Sequence, residues 1–381
     1  MATALLGACA SPSRLPAVPP GLQNQAVVPN LADIRYRAPD FGRMQDDLVL
    51  TVQRERAALD ARGERGPLPP ISFLAISGGG ANGAFGAGLL VGWTQHGDRP
   101  EFNLVTGVST GALIAPFAFL GPKYDTQLKR LYTEVTDKDI LNLRGISAAL
   151  FDDALADNLP LQKLVEANIT PQLLEAIAEE SAKGRTLLVA TTDLDADRSV
   201  LWNITLMAES RHPQALALIR KILVASAAIP GELPPLMLDV EAAGHAYQEM
   251  HVDGGATQQV FVLPAKFLLG KVAQRDRTLY VIRNSRLSVA SVQVERNTLS
   301  IARRAISSLI HTQGVGDLYQ IAAIAKRDRG HFRLAYIPDS FVQPAPDDFD
   351  RDYMNALFLV AYQLGRDGYP WAKEPPGFVD E

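Results

Sequence analysis

The pentapeptide Gly107-Val108-Ser109-Thr110-Gly111 constrains the fold of this chain more than any other feature. It follows an apolar, strand-like run (Asn103-Leu104-Val105-Thr106) and leads into a helix-like one (Ala112-Leu113-Ile114-Ala115). Strand, sharp turn and helix in that order are what a nucleophile elbow requires. The turn strains its central residue, glycine on both sides leaves room, and the Ser109 hydroxyl is pushed out above the sheet. Gly and Ser are also common turn residues, so an ordinary strand-to-helix turn fits the pentapeptide as well when it stands alone. The rest of the chain has to decide.

Strands and helices alternate along the remainder. Ile71–Ile76, Thr186–Thr191, Val200–Ile204, Thr278–Ile282 and Phe332–Ile337 read as strands, as do the residues before Asp253. Helical patterns cover Gly83–His96, Gln127–Val135, Pro171–Ala182, Gln214–Ala228, 289–312, 315–326 and about 350–365. This alternation predicts an α/β fold, a three-layer α/β/α sandwich on a mostly parallel central sheet. Residues 10–40 are rich in Pro, Ala and Asn without periodicity and read as a tether or extended arm. Residues 43–62 fit an amphipathic helix. Three parts are expected: 1–9, an N-terminal signal remnant; 10–70, the tether and helix; and 71–381, the compact domain, with its core motifs in 71–260.

Composition excludes several classes. A chain of 381 residues, 47% hydrophobic, has ample material for a buried core. Its net charge of −5 argues against nucleic-acid binding and against simple electrostatic adsorption to anionic lipid. No apolar run reaches the length of a membrane-spanning helix. The single cysteine, Cys9, rules out an internal disulfide and thiolate-rich zinc sites. Its setting, Leu6-Gly7-Ala8-Cys9-Ala10-Ser11, resembles a bacterial lipoprotein signal, although no Lys or Arg precedes the short apolar stretch. That resemblance implies a lipid anchor on Cys9 and a place at the periplasmic face of a bacterial envelope. A cytoplasmic location is the alternative.

Two further glycine motifs stand near chemistry-bearing positions. Gly78-Gly79-Gly80-Ala81-Asn82-Gly83 lies between a strand and a helix. As G-x-G-x-x-G it is a dinucleotide fingerprint, and as a bare glycine loop it offers backbone N–H groups to a developing negative charge. The dinucleotide reading needs an acidic residue at the end of the second strand. Glu101 precedes that strand, which ends instead in Ser109. The other motif, His251-Val252-Asp253-Gly254-Gly255, is a plain turn when taken alone. Paired with Ser109 it supplies a carboxylate base, and its two glycines permit close approach of backbone and substrate.

These three motifs, in this order, resemble the patatin-like phospholipase family. Ala190-Thr191-Thr192-Asp193-Leu194-Asp195 resembles the family's internal strand and turn, and Ala225–Gly231 with Pro234-Pro235 resembles the loop before its catalytic Asp. The resemblance implies Ser109 as nucleophile, Asp253 as its partner in a Ser–Asp dyad, and Gly78, Gly79 and Gly80 as the oxyanion hole. Gly107, Thr110, Gly111, Gly254 and Gly255 support them. It further implies a serine lipid acyl hydrolase that needs no metal or cofactor, acting on a lipid or acyl ester at a membrane surface, with no nucleic-acid partner. Oligomeric state is not readable. A catalytically silent lipid-binding envelope protein is the alternative of a different class. Asn82 departs from the Arg or Lys common in the family, which removes a positive charge beside the glycine loop.

A serine hydroxyl is a poor nucleophile until a base takes its proton, and a free Asp (pKa ~3.9) is a weak base at neutral pH. Burial of Asp253 would raise its pKa toward the working range. A triad in the order Ser, acid, His has His311 and His331 available. His311 falls in a helical pattern and His331 follows a charged turn, so both read as structural or surface residues. His251 reads as a strand-surface histidine. Asp193 and Asp195 read as a solvated turn rather than metal ligands.

Overall fold

The runs Ile71–Ile76, Leu104–Val108 and Thr186–Asp193 are apolar on both faces, which is the pattern of strands buried between two helical layers. They form the centre of the sheet. The computed structural model describes residues 13–37, 41–143, 153–264, 267, 273–288, 293–345 and 348–377. In chain order the strands are β1 (Arg35–Arg37), β2 (Ile71–Ile76), β3 (Leu104–Val108), β4 (Asn142–Leu143), β5 (Ala156–Asp157), β6 (Thr186–Asp193), β7 (Arg198–Asn203), β8 (Leu236–Ala242), β9 (His245–Asp253), β10 (Arg277–Arg283) and β11 (His331–Tyr336). β4 and β5 pair with each other. The rest build one nine-stranded sheet in the order β1-β7-β6-β3-β2-β10-β11, with β9 on β6 and β8 on β9. The run from β6 to β11 is parallel throughout, and β1, β7, β8 and β9 join antiparallel.

Side chains alternate across this sheet and feed two separate cores. Leu74, Ile76, Val105, Leu187 and Val189 point to one face. Phe73, Ala75, Leu104, Leu188 and Ala190 point to the other. Helices Gly83–His96, Thr110–Leu120, Ala215–Ser226 and Arg351–Arg366 cover the first face. The helix Thr298–Arg327 covers the second with Leu318, Ile321 and Ile324. The result is a three-layer α/β/α sandwich on a mostly parallel sheet.

Two segments differ from the sequence expectation. The helical stretches expected at 289–312 and 315–326 are one helix, Thr298–Arg327. Gly314 and Gly316 do not break it, and at Gly314 the helix is pressed against Arg283 and Gln259. Residues 289–292 lie outside the described residues. The composition of 10–40 reads as a tether, yet residues 13–37 lie along the sheet. Val18, Ala26, Leu31 and Ile34 are buried, and β1 pairs with β7 as an edge strand.

Long-range ion pairs explain this docking. Arg35 sends two guanidinium N–H bonds to Glu249 on β9, and Arg37 adds a third at 3.2 Å. Arg14 grips Asp195 and the Gln248 carbonyl at 2.9 and 2.7 Å. The Arg35–Glu249 pair is buried, so removing Arg35 leaves the buried Glu249 charge with only the longer bond from Arg37. Arg35→Ala is expected to destabilise the chain by roughly 3 kcal/mol, read as a lower urea midpoint. A shift within error would show that the arm is not part of the cooperative fold.

Candidate active site

Strand β3 leaves the sheet early. Its last pair with β6 is Val108 with Ala190. Continuing the register would pair residue 109 with Thr191. Instead the chain turns, Ser109 adopts φ 55° and ψ −127°, and a helix begins at Thr110. Non-glycine residues rarely hold a positive φ, and the conformation costs on the order of 1–3 kcal/mol. The surroundings enforce it. Gly111 lies so close to the carbonyls of Ile76 and Ser77 that a Cβ there would come within 2.3 and 2.6 Å. The Ser109 N–H donates to Ser226 Oγ at 3.0 Å, and that hydroxyl donates to the Ala190 carbonyl at 2.7 Å. Thr110 Oγ1 meets the Tyr132 hydroxyl at 2.6 Å.

The place that β3 vacates is taken by β9. Asp253, its last residue, pairs with Thr191. Serine and aspartate therefore meet at one register position, where the Ser109 hydroxyl favours the ionised form of the Asp253 carboxyl. Gly254 permits the junction, since a Cβ there would come within 2.6 Å of the Ala190 carbonyl. Asp253 also accepts the Gly255 N–H at 2.7 Å. Burial pushes the Asp253 carboxyl up to about 7. The Ser109 hydroxyl and the Gly255 N–H oppose the rise, and the charge of Glu232 adds to it.

The glycine loop closes the third side. Asn284, at the end of β10, clamps it: its side-chain amide donates to the Ser77 carbonyl at 2.8 Å, and its Oδ1 accepts the Gly86 N–H at 3.0 Å. The N–H of Gly78 is taken by the Gln259 carbonyl at 3.1 Å. Among the described residues, no acceptor meets the N–H of Gly79 or Gly80. The donors left to the site are thus Gly79 and Gly80, not Gly78, because Gly78 is already bonded. The loop, Ser109 and Asp253 share one cleft of about 430 Å³, with Arg283 and His311 in its far wall.

A family model, patatin-like phospholipase, matches residues 74–266, just over half of the chain. This chain belongs to the patatin-like phospholipase family. No curated protein matches it. Among solved structures, VipD from Legionella pneumophila is similar at 12% identity and a TM-score of 0.37, over 78% of this chain. The chain spans 66% of that protein's length.

Several polar residues of this patatin-like chain sit differently from their sequence reading. His251 is fully buried in β9, not on a strand surface. Its Nδ1 meets Thr191 Oγ1 at 2.8 Å and its Nε2 meets Glu249 at 3.2 Å. Asp193 is buried beside them rather than solvated, and accepts the N–H groups of Asp195 and Ala196. Asp193, Glu249 and His251 are close enough to share a cation. Glu249 is already paired with Arg35 and Arg37. His311 lines the cleft, where its ring lies 3.5 Å from Arg283. Burial and the Arg283 charge hold its pKa below the ordinary histidine value. His331 is exposed at the start of β11. Asn82 accepts a 2.6 Å bond from the Tyr353 hydroxyl. Cys9 lies outside the described residues.

Sequence reading missed four supports of the patatin-like site: Ser226, Asn284, Gln259 and Asp317. Asp317 accepts the N–H groups of Gln259 and Val260 at 2.7 and 3.2 Å, which fixes the carbonyl that holds Gly78. Burial pushes its carboxyl up to about 6. Asn284 alone carried a usable signal, because it follows a buried parallel strand, and α/β sites gather at such carboxyl ends.

The raised Asp253 value has a consequence for stability. Between about pH 4 and pH 7 the folded chain keeps a proton that the unfolded chain has released. Stability therefore falls as pH rises through that window, and above it the buried carboxylate is a net cost of a few kcal/mol. Asp253→Asn is expected to unfold at higher urea than wild type at pH 8, with the gap closing toward pH 4. A gap that is absent or constant with pH would contradict the burial argument.

Proposed function

We propose that this chain is a serine lipid acyl hydrolase, of phospholipase A, lysophospholipase or esterase type, working through a Ser109–Asp253 dyad. The observation that carries this reading is the meeting of Ser109, at the point where β3 leaves β6, with the buried carboxyl of Asp253, whose pKa stands near 7. Among the described residues, no histidine bonds either partner. A base with that value is half-ionised near neutrality, where general-base transfer is most effective.

In this scheme Asp253 takes the Ser109 proton as Oγ attacks the ester carbonyl. The carbonyl oxygen becomes an oxyanion held by the Gly79 and Gly80 N–H groups, with the positive end of helix Gly83–His96 behind them. Collapse breaks the bond to the leaving alcohol, which receives the proton from Asp253, and leaves acyl-Ser109. Water then attacks the acyl group and gives its proton to Asp253. Release of the acid returns the proton to Ser109. Each oxyanion donor is worth about 2.7–4 kcal/mol of transition-state stabilisation. A small apolar cavity of about 50 Å³, lined by Leu113, Phe117 and Val165, borders Thr110.

A fluorophosphonate probe is expected to label the wild type at Ser109, and Ser109→Ala to stay unlabelled. His311→Ala should keep both labelling and ester turnover, while Asp253→Asn loses turnover by at least about a hundredfold. Labelling of Ser109→Ala, or a folded but inactive His311→Ala, would overturn the dyad.

A further inference from the structure

The helix Thr298–Arg327 changes character along its length. Beyond Gly314 it buries Leu318, Ile321 and Ile324. In its first half Ile301, Ile306 and Leu309 are 54%, 41% and 70% exposed. At about 100° per residue, Ile301, Ala302, Ala305, Ile306 and Leu309 fall within one arc of roughly 140°. All five are exposed. Amphipathic helices ordinarily turn such a stripe to the core, and a contiguous apolar face left in water marks an interaction surface. The polar side of the same half-helix is the side tied down, since Arg303 pairs with Glu232 at 3.0 Å and Asp348 at 3.8 Å.

The apolar face is continuous with the active-site cleft. Ile306 and Leu309 line the cavity that holds Ser109, and Ile301 extends the face away from it. That continuity selects the occupant. A protein seated over Ile306 and Leu309 would close the cleft to substrate, whereas a lipid surface there delivers it. The acidic balance of the chain disfavours adsorption by charge, so contact has to come from apolar burial. We propose that Ile301, Ala302, Ala305, Ile306 and Leu309 form the face by which this chain docks on a lipid–water interface, bringing the acyl ester to Ser109 without passage through water. The proposal rests on the acyl-hydrolase reading of the cleft.

The test uses Ser109→Ala, to prevent turnover, and sedimentation with phosphatidylcholine vesicles. In that background Ile301→Asp should weaken vesicle binding about tenfold or more, and Ile301→Trp should strengthen it. With Ser109 intact, Ile301→Asp should leave hydrolysis of soluble p-nitrophenyl butyrate unchanged while hydrolysis of vesicle lipid falls. Ile301 is exposed and outside the cleft, so folding is not at stake. Absence of vesicle binding, or equal binding with and without Ile301→Asp, overturns the proposal. So does a wild-type dimer that Ile301→Asp converts to monomer, which would make the face a self-association surface. A wild-type chain inactive on the soluble ester and on vesicles refutes the hydrolase reading instead, and sedimentation then still decides the docking face.

Discussion

One edge of strand β6 is shared between two strands, and the site follows from how they divide it. β3 holds the edge as far as Ala190, and β9 takes it from Thr191. If β3 continued, Ser109 would be an ordinary sheet residue and Asp253 would have no place. Because β3 turns into its helix, the freed N–H and C=O positions of β6 are taken up by an antiparallel strand that ends there. Backbone pairing, rather than a long flexible side chain, sets the distance between hydroxyl and carboxylate. Gly111 against Ile76 and Gly254 against Ala190 are the two contacts that make the division possible.

The arrangement stores free energy where the chemistry would occur. Ser109 is held at a positive φ, and Asp253 is buried without a cation beside it. One nearby buried acid is treated in the opposite way. Glu249, four residues earlier on the same strand, is held well below the ordinary carboxylate range, against the effect of its burial, chiefly by the Arg35 charge and also by His251. A fully paired acid anchors the strand, and an acid left without a cation ends it. The N-terminal arm, which brings Arg35 and Arg37, thus stiffens the element that carries Asp253.

Legibility in the sequence tracked the distance over which each feature is determined. The elbow and the glycine loop are local: a strained turn and a bare stretch of N–H groups each need particular residues within a few positions, so Gly107–Gly111 and Gly78–Gly83 could be read directly. The alternation of strand and helix patterns gave the layered architecture for the same reason. His251 and Asp193 are buried beside Glu249, whose partner Arg35 lies 214 residues away in the chain, and no local pattern records it. The docking of residues 13–37 was hidden likewise, because Pro and Asn fit a tether as well as an irregular segment that pairs only at its end. Gly78 was assigned with its neighbours because nothing in a run of three glycines says that one N–H is claimed by Gln259.

The claim on which the rest turns is that a carboxylate alone serves as the base for Ser109. The pH dependence of kcat/KM for a soluble ester, measured on wild type and on His311→Ala, tests it most directly, because this parameter reports the ionisation of the free enzyme. Asp253 has to be ionised to accept the proton, so kcat/KM should rise about tenfold per pH unit below about 7 and level off above it, identically in both proteins. A limb that disappears or moves in His311→Ala, or a rate flat down to pH 5, would contradict it.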